Sequence, residues 1–451
     1  MLCIPSSLNE LLLLFRPCFT QPSFRTFTAL VVGQIAQTRL RCVTGMLVGA
    51  RLSGLWHHAR AHRFFSHARW SADELGLTLA GLIVERLVPF DAPLIMPVDD
   101  SLFKRRGRQV FGGVWDRDPA ANSKQKGSVA WGNSWVTAGI NVKLPFLERT
   151  VCLLVLFRLW RPRHPEYIKA QHPDPQRPSK PQLAREIVCL LAERFPGRQI
   201  HIIGDSAYAA KAFAGLPANI TITARMRGDA RLYEPALRPL KPRPGRPRKK
   251  GQMLPKPDQI ATDTTTNWET ISVRRYGKNG CALVHSFRCL WYETFGQQPV
   301  QVVIVHNHTK PVGQELTLVS TDLHATPAQL IERFADRWPI EVAYEDAKQL
   351  FGGGQARNRT ENAVRRTVPF QLLAMTLTTC WYTLHGHHPD DIAEHRQRSP
   401  WYLTKTTPSF ADMLAKLRRV IIASQFHPGM GSTPTSQQIT QVQQAWAAAG
   451  L

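Results

Sequence analysis

Leu94-Ile-Met-Pro-Val-Asp-Asp-Ser101 is an apolar run that closes on two consecutive acids. It reads as a buried strand. Gln199-Ile-His-Ile-Ile-Gly-Asp205 repeats the pattern far along the chain, again ending on an acid. Between them, Ser128 to Val142 and Thr150 to Trp160 read as two more strands, with Arg161 and Arg163 in the turn that follows. Pro181 to Phe195 is an amphipathic helix, Ala207 to Ala214 a short helix, and Ile220 to Ala224 a fifth strand. Three strands in a row followed by alternating helices and strands predict an α/β fold, a mixed sheet covered by helices. Acids so distant in sequence meet only if the first and fourth strands are neighbours. Ligand sites gather at such strand ends. A lone strand-end Asp is often only a turn former, but here the feature arises twice.

Further along, Phe334-Ala-Asp-Arg-Trp-Pro-Ile-Glu-Val-Ala-Tyr-Glu-Asp-Ala-Lys-Gln-Leu-Phe-Gly352 reads as a helix. Thr326-Pro327 marks a start and Gly352 to Gly354 a stop. Arg337, Glu341 and Lys348 stand four and then seven residues apart, which returns them to nearly one face. A carboxylate flanked by two cations suits a metal-binding acid beside phosphate-holding groups. It equally suits a solvated salt-bridge ladder. Pro339 offers a fresh helix start, which would leave Arg337 on the turn before it.

The chain of 451 residues is 43% hydrophobic, enough for a large core. Lys and Arg outnumber Asp and Glu by 57 − 33 = 24. That surplus points to a polyanionic partner, most simply nucleic acid. The eight cysteines form no C-x-x-C, and several sit in apolar runs such as Val151 to Phe157. Free thiols in a reducing cytosol are expected, with neither a disulfide framework nor a zinc knuckle. His385-Gly-His-His388 lacks acidic or Cys partners at metal spacing and reads as a polar loop. The start has no basic n-region, so no signal peptide is expected, and no run is long enough to span a membrane.

Five segments emerge. Residues 1–90 read as helical. Apolar positions recur at helical spacing over Leu40 to Leu55 and Ala72 to Val88. Between these lies His57-His-Ala-Arg-Ala-His-Arg-Phe-Phe-Ser-His-Ala-Arg-Trp70. Its Arg60, Arg63 and Arg69 suit DNA backbone, while Phe64, Phe65 and Trp70 suit a core corner. Residues 91–225 hold the strands above. Residues 226–325 hold a basic, Pro-rich loop and a β-strand insertion. The loop, Arg238 to Gly251, carries Arg246, Arg248, Lys249 and Lys250; its Gly245-Arg-Pro247 has the form of a minor-groove-reading segment and equally of a solvated linker. The insertion spans Trp268 to Arg275, Cys281 to Tyr292, Val300 to His306 and Glu315 to Ser320. Residues 326–425 are helical, including Val368 to Leu384 and Ser409 to Ile422, and 426–451 is a polar tail.

With Asp99 or Asp100, Asp205 and Glu341 collected, the sequence resembles the DDE transposases of bacterial insertion sequences. The match is to the group whose third acid sits in a Tyr-x2-Arg-x3-Glu-x6-Lys signature. Here that signature stands as Phe334, Arg337, Glu341 and Lys348, with Phe replacing the usual Tyr. Asp100-Ser101 matches the first acid and its hydroxyl follower, and Asp205 in Ile-Gly-Asp-Ser-Ala-Tyr208 the second. The likeness extends over about residues 40–425 and implies an RNase H-like core with a β-strand insertion before the catalytic helix, and a helical N-terminal region, residues 1–90, that binds DNA ends. It implies Asp100, Asp205 and Glu341 as catalytic, metal-binding acids. Asp99 is the rival to Asp100, because strand alternation points the two to opposite faces, and Glu345 is a lesser rival to Glu341. Two Mg2+ ions, with Mn2+ able to substitute, are the implied cofactor. Arg337 and Lys348 would contact DNA phosphates, as would Arg246, Arg248, Lys249 and Lys250 of the basic loop. The implied partners are double-stranded DNA, as terminal inverted repeats and target, and a second copy in a homodimer on DNA. The implied reaction is cutting at element ends and joining of the 3′-hydroxyl to target. Some members of the group pass through a hairpin, for which Trp268 and Trp291 are candidates to hold an unstacked base; each is equally readable as a core tryptophan. A transposase-derived DNA-binding protein without catalysis and a stand-alone metal-dependent endonuclease remain as alternatives.

Overall fold

The structure, a computed structural model, describes residues 4–118, 128–162, 176, 178–236, 248–306 and 316–424. Arg163, Arg246, the Gly245-Arg-Pro247 segment and the tail at 426–451 lie outside the described residues.

The chain begins with Ser6–Leu13 (α1), Gln21–Ala36 (α2), Val43–Gly49 (α3), Ala59–Ser66 (α4) and Ala72–Leu87 (α5). The helix expected over 40–55 shrinks to α3. Arg51 takes a positive φ of 56° just beyond it and turns the chain. α2 and α3 pack with almost no gap: a Cβ on Gly33 would lie 1.8 Å from the Met46 carbonyl oxygen.

Leu94–Lys104 (β1), Val114–Arg117 (β2), Val129–Lys143 (β3) and Thr150–Trp160 (β4) come next, then Lys180–Arg194 (α6), Ile200–Gly204 (β5) and Ile220–Arg225 (β6). β1, β3 and β4 are antiparallel neighbours, β1 lies parallel to β5, and β5 lies parallel to β6. This is the RNase H-like order, with the first and fourth long strands side by side; β1, however, runs on to Lys104 instead of ending on its two acids, because residues 99–104 stay paired with β3. β2 went unread because it is four residues long and two of them are charged. The helix expected over 207–214 is only a tight turn at Lys211–Phe213. The Asp205 carboxylate accepts from the Ala207 N–H at 2.8 Å and holds the chain in a turn instead.

After Pro257–Thr262 (α7), the insertion contributes Glu269–Arg275 (β7), Lys278–Leu290 (β8), the short helix Tyr292–Phe295 (α8), Pro299–His306 (β9) and Leu316–Ser320 (β10). β10 pairs with β6, and the order continues β9, β8, β7. The insertion therefore extends the core sheet to ten strands. Alternation divides its two faces. Val300, Val302 and Ile304 join the main core. Val303, Val305 and Leu318 form a second core with Leu330 and Ile331 of the next helix, Pro327–Ala335 (α9).

The single helix expected from Phe334 to Gly352 is two. α9 ends at Ala335, and Trp338–Gln349 (α10) starts afresh with Pro339 in its first turn and Arg337 as its N-cap. Pro339 has no N–H to bond back into α9, so the break falls there. Gly352 and Gly354, at φ of 76° and 85°, close α10 where the sequence signals a stop. Glu361–Trp381 (α11), Asp391–Arg398 (α12) and Phe410–Ser424 (α13) complete the described chain. No helix among the described residues is long and apolar enough to cross a membrane.

Candidate active site

The site is built by alternation along β1. Asp99, Ser101 and Phe103 face α10. The Ser101 hydroxyl accepts from Lys348 Nζ at 2.6 Å, and Lys348 lies 5.3 Å from the Phe103 ring centroid. The Asp99 carboxylate meets Arg337 at 3.5 Å, and the same guanidinium meets Glu341 at 2.5 Å. Tyr344, one turn past Ile340 and fully in the core, donates to the Asp99 carbonyl at 3.1 Å and pairs with Thr137 of β3. This hydroxyl ties β1, β3 and α10 together directly beneath the acids.

Asp100 faces the other way. Its carboxylate accepts from Lys180 Nζ at 2.6 Å and from the Tyr208 hydroxyl at 3.2 Å. Lys180, the first residue of α6, also reaches Asp116 of β2 at 3.0 Å and lies 4.7 Å from the Trp160 ring centroid. Of the two β1 acids, the structure thus brings Asp99 to the Arg337–Glu341 pair and gives Asp100 to Lys180.

Asp205 stands at the end of β5. The β1–β5 register pairs Pro97 with Ile203, so Asp99 and Asp205 each lie two residues beyond the same rung. Their mutual charge is felt. Burial first, and then the charges of Asp100 and Asp205, push the Asp99 carboxyl up to about 7 against the opposing pull of Arg337 and the Asp100 N–H. Burial likewise pulls the Lys348 ammonium down to about 8. On the far face burial works against the charges of Lys180 and Asp116, but Asp100 and then Asp116 raise the Lys180 ammonium, and Lys180 in turn lowers the Asp116 carboxyl.

Phe334 answers for the missing Tyr of the signature. It packs against the second core and lies under Arg337, whose guanidinium carbon is 6.0 Å from its ring centroid. The aromatic body therefore props the cation without a hydroxyl. Glu345 points out to solvent and accepts from Gln349 at 3.1 Å. Lys250 lies 3.6 Å from the Tyr233 ring centroid and 5.1 Å from that of Tyr292, with Arg248 and Lys249 exposed beside it. Trp268 and Trp291 are both partly buried against the main core. His387 stacks on Phe146 at 4.3 Å, while His385, His387 and His388 are all exposed.

The donor chemistry suits a hard divalent cation. Asp99, Asp205 and Glu341 offer only carboxylate oxygens. Among the described residues no three metal-ligating side chains converge into a ready cage, and Arg337 stands between Asp99 and Glu341. Lys180, Tyr208, Asp116 and Tyr344 were missed as site neighbours. Tyr208 and Tyr344 lay inside quoted stretches; Lys180 and Asp116 needed the sheet to bring them in.

The profile of the family described as DDE superfamily endonuclease matches residues 14–280. That span contains Asp99, Asp100 and Asp205 and ends before the Arg337–Glu341–Lys348 helix. A search of curated proteins gave no match. Endonucleases of this superfamily act on DNA and generally use divalent metals. The match covers more than half of the chain, and the mixed sheet flanked by helices is consistent with the RNase H-like fold of that family: the chain belongs to the DDE superfamily endonucleases.

Proposed function

We propose that the protein is a DNA transposase that cuts the ends of an insertion sequence and joins the freed 3′-hydroxyl to target DNA. The observation that carries the reading is the meeting of Asp99 with the Arg337–Glu341 pair beside the end of β5, where Asp205 stands. On this reading Asp99, Asp205 and Glu341 hold the metal. Two Mg2+ ions, or Mn2+ in their place, would supply activation of the attacking oxygen and neutralise charge on the leaving one. Arg337 and Lys348 bind non-reacting phosphate oxygens, and the contacts of Lys348 with Ser101 and two rings hold its ammonium in place for that. Asp100, whose hydroxyl follower favours it as the first acid, is supported by sequence context; Asp99 is supported by its geometry. Arg248, Lys249 and Lys250 add backbone contacts from the loop. Joining two ends calls for two active sites, so a homodimer on DNA is part of the proposal.

The test uses the full chain and a duplex carrying the element end. Glu341→Gln, Asp205→Asn and Asp99→Asn should each lower Mg2+-dependent cleavage by more than about a hundredfold, beyond the loss typical of residues that only support a metal ligand. DNA binding should change little. Asp100→Asn should lose less than about tenfold. Undiminished cleavage by the Glu341 or Asp205 variant would sink the site. If Asp100→Asn is dead and Asp99→Asn active, the first acid is Asp100. Equal nicking of any duplex, with no joining, would make the protein a stand-alone endonuclease.

A further inference from the structure

Each of the two acids remote from β1 is followed, three residues on, by a buried tyrosine: Asp205 by Tyr208 and Glu341 by Tyr344. Both hydroxyls return to the same two residues of β1. Tyr208 donates to the Asp100 carboxylate at 3.2 Å, and Tyr344 donates to the Asp99 carbonyl at 3.1 Å. One reaches this dipeptide from the turn after β5, the other from α10. A buried phenol needs some partner, but that need alone does not direct both hydroxyls to one place.

The two ties are built differently. On α10, three residues are nearly one turn, so Glu341 and Tyr344 are neighbours on the helix. Tyr344 gives its one proton to the Asp99 carbonyl and takes one from Thr137 of β3. Glu341 therefore rides on a helix pinned to the peptide that bears Asp99. After β5 the chain closes a turn. The Tyr208 N–H donates to the Asp205 carbonyl at 3.2 Å, and the Ala207 N–H to the Asp205 carboxylate at 2.8 Å. The Tyr208 side chain is seated against Gly204, where an added Cβ would lie 2.6 Å from the Tyr208 Cβ. Its acceptor is fixed too: Lys180 holds the other Asp100 oxygen at 2.6 Å, and the Asp100 N–H donates to the Asp99 carboxylate at 2.8 Å. A line of hydrogen bonds thus runs from the Asp205 turn through Tyr208 and Asp100 to Asp99. Burial first, and then Asp100 for Tyr208 and Asp99 for Tyr344, raise both phenols well above their ordinary range, so each keeps the proton it donates.

We propose that Tyr208 and Tyr344 are positioning residues for the metal-binding acids: Tyr208 sets the place of Asp205, and Tyr344 that of Glu341, each against the Asp99–Asp100 dipeptide. The proposal rests on the reading of Asp99, Asp205 and Glu341 as metal ligands. Carboxylates that are to share metal ions repel one another beforehand. A neutral hydroxyl ties their supporting segments together without cancelling the charge that attracts the metal. Outer partners of this kind are typically worth about 10–100-fold in metal affinity or activity.

The experiment titrates Mn2+ into full-length protein without DNA, followed by electron paramagnetic resonance, and separately measures cleavage of an element-end duplex over a Mg2+ series. Tyr208→Phe and Tyr344→Phe should each weaken Mn2+ binding and raise the Mg2+ needed for half-maximal cleavage by about 10–100-fold. Saturating Mg2+ should restore most of the rate, and duplex affinity without metal should not change. Tyr382→Phe is the control. It removes a hydroxyl that is equally buried and donates to Asp391 just past α11, so it should lower the melting temperature and leave both metal titrations where they were. If the Tyr208 and Tyr344 variants shift only the melting temperature, as the control does, the positioning role is overturned while the acids keep theirs. A metal shift in one variant alone overturns the role of the other tyrosine. If the parent binds Mn2+ no better than an Asp99→Asn, Asp205→Asn double variant, the reading of the acids falls, and the positioning role with it.

Discussion

Two adjacent carboxylates on one strand meet opposite fates because a strand turns successive side chains to opposite faces. Asp99 is left beside one shared guanidinium, while Asp100 is neutralised by Lys180 and capped by Tyr208. The side chains of Lys180, Asp100 and Asp116 are only 22%, 23% and 23% exposed, so removing the cation strands two acids with little water to replace it. Lys180→Met should therefore cost about 1–3 kcal/mol, less than for a fully buried pair. Adding Asp100→Asn should recover part of that loss. Urea denaturation of the two single variants and the double variant checks this; simple additivity of the two effects would mean that Lys180 and Asp100 do not act as a pair.

At the scale of elements, α10 is the piece that works on both of its sides. One side presents Glu341 and Lys348 to the acids. The other lines a cavity of about 560 Å3 with Trp338, Val342 and Asp346. Burial first, and then Glu345, push the Asp346 carboxyl up to about 6 against the pull of Arg149. A carboxyl raised on folding stabilises the fold only while it is protonated. That contribution is whole below the ordinary carboxylate range and is lost as pH rises through about 6. Asp346→Asn should then raise the melting temperature at about pH 8 and raise it less at about pH 5. An equal gain at both values, or a lower melting point at the higher pH, would count against it. Much of this architecture could be read in advance. β4 and β5 are largely apolar runs, β1 is one as far as Val98, and the acids that follow those runs in β1 and after β5 are visible as such. The break before α10 was announced by Pro339. Which of Asp99 and Asp100 turns toward α10 was not legible, because alternation fixes that they differ but only the packing of α6 and α10 fixes which face is which. Lys180 was illegible for the same reason: its partners lie on β1 and β2, and nothing in its own neighbourhood names them.

At the scale of the whole molecule, the insertion behaves as a continuation of the core. β10 runs against β6, and Thr223 and Ser320 share a hydroxyl hydrogen bond of 3.0 Å across the join. One face of the added strands belongs to the main core. The other is closed by α9, which leads through Asp336 and Arg337 straight into α10. A chain joined this way has no seam at which the insertion can melt alone. It also means that the second core supports the position of Glu341 from a distance. Leu330 of α9 is 0% exposed in that core. Leu330→Ala should cost about 2–5 kcal/mol through lost burial and the cavity left behind. The expected result is one cooperative transition shifted as a unit, followed alike by calorimetry and by tryptophan fluorescence, which reports Trp135 in β3 and Trp268 beside β7. Cleavage, measured well below that transition, should fall more than DNA affinity does, because α10 is moved while the basic surfaces are not. A separate early transition that alone responds to the substitution, with cleavage intact, would show that the insertion is its own folding unit and that α9 does not carry its influence to the site.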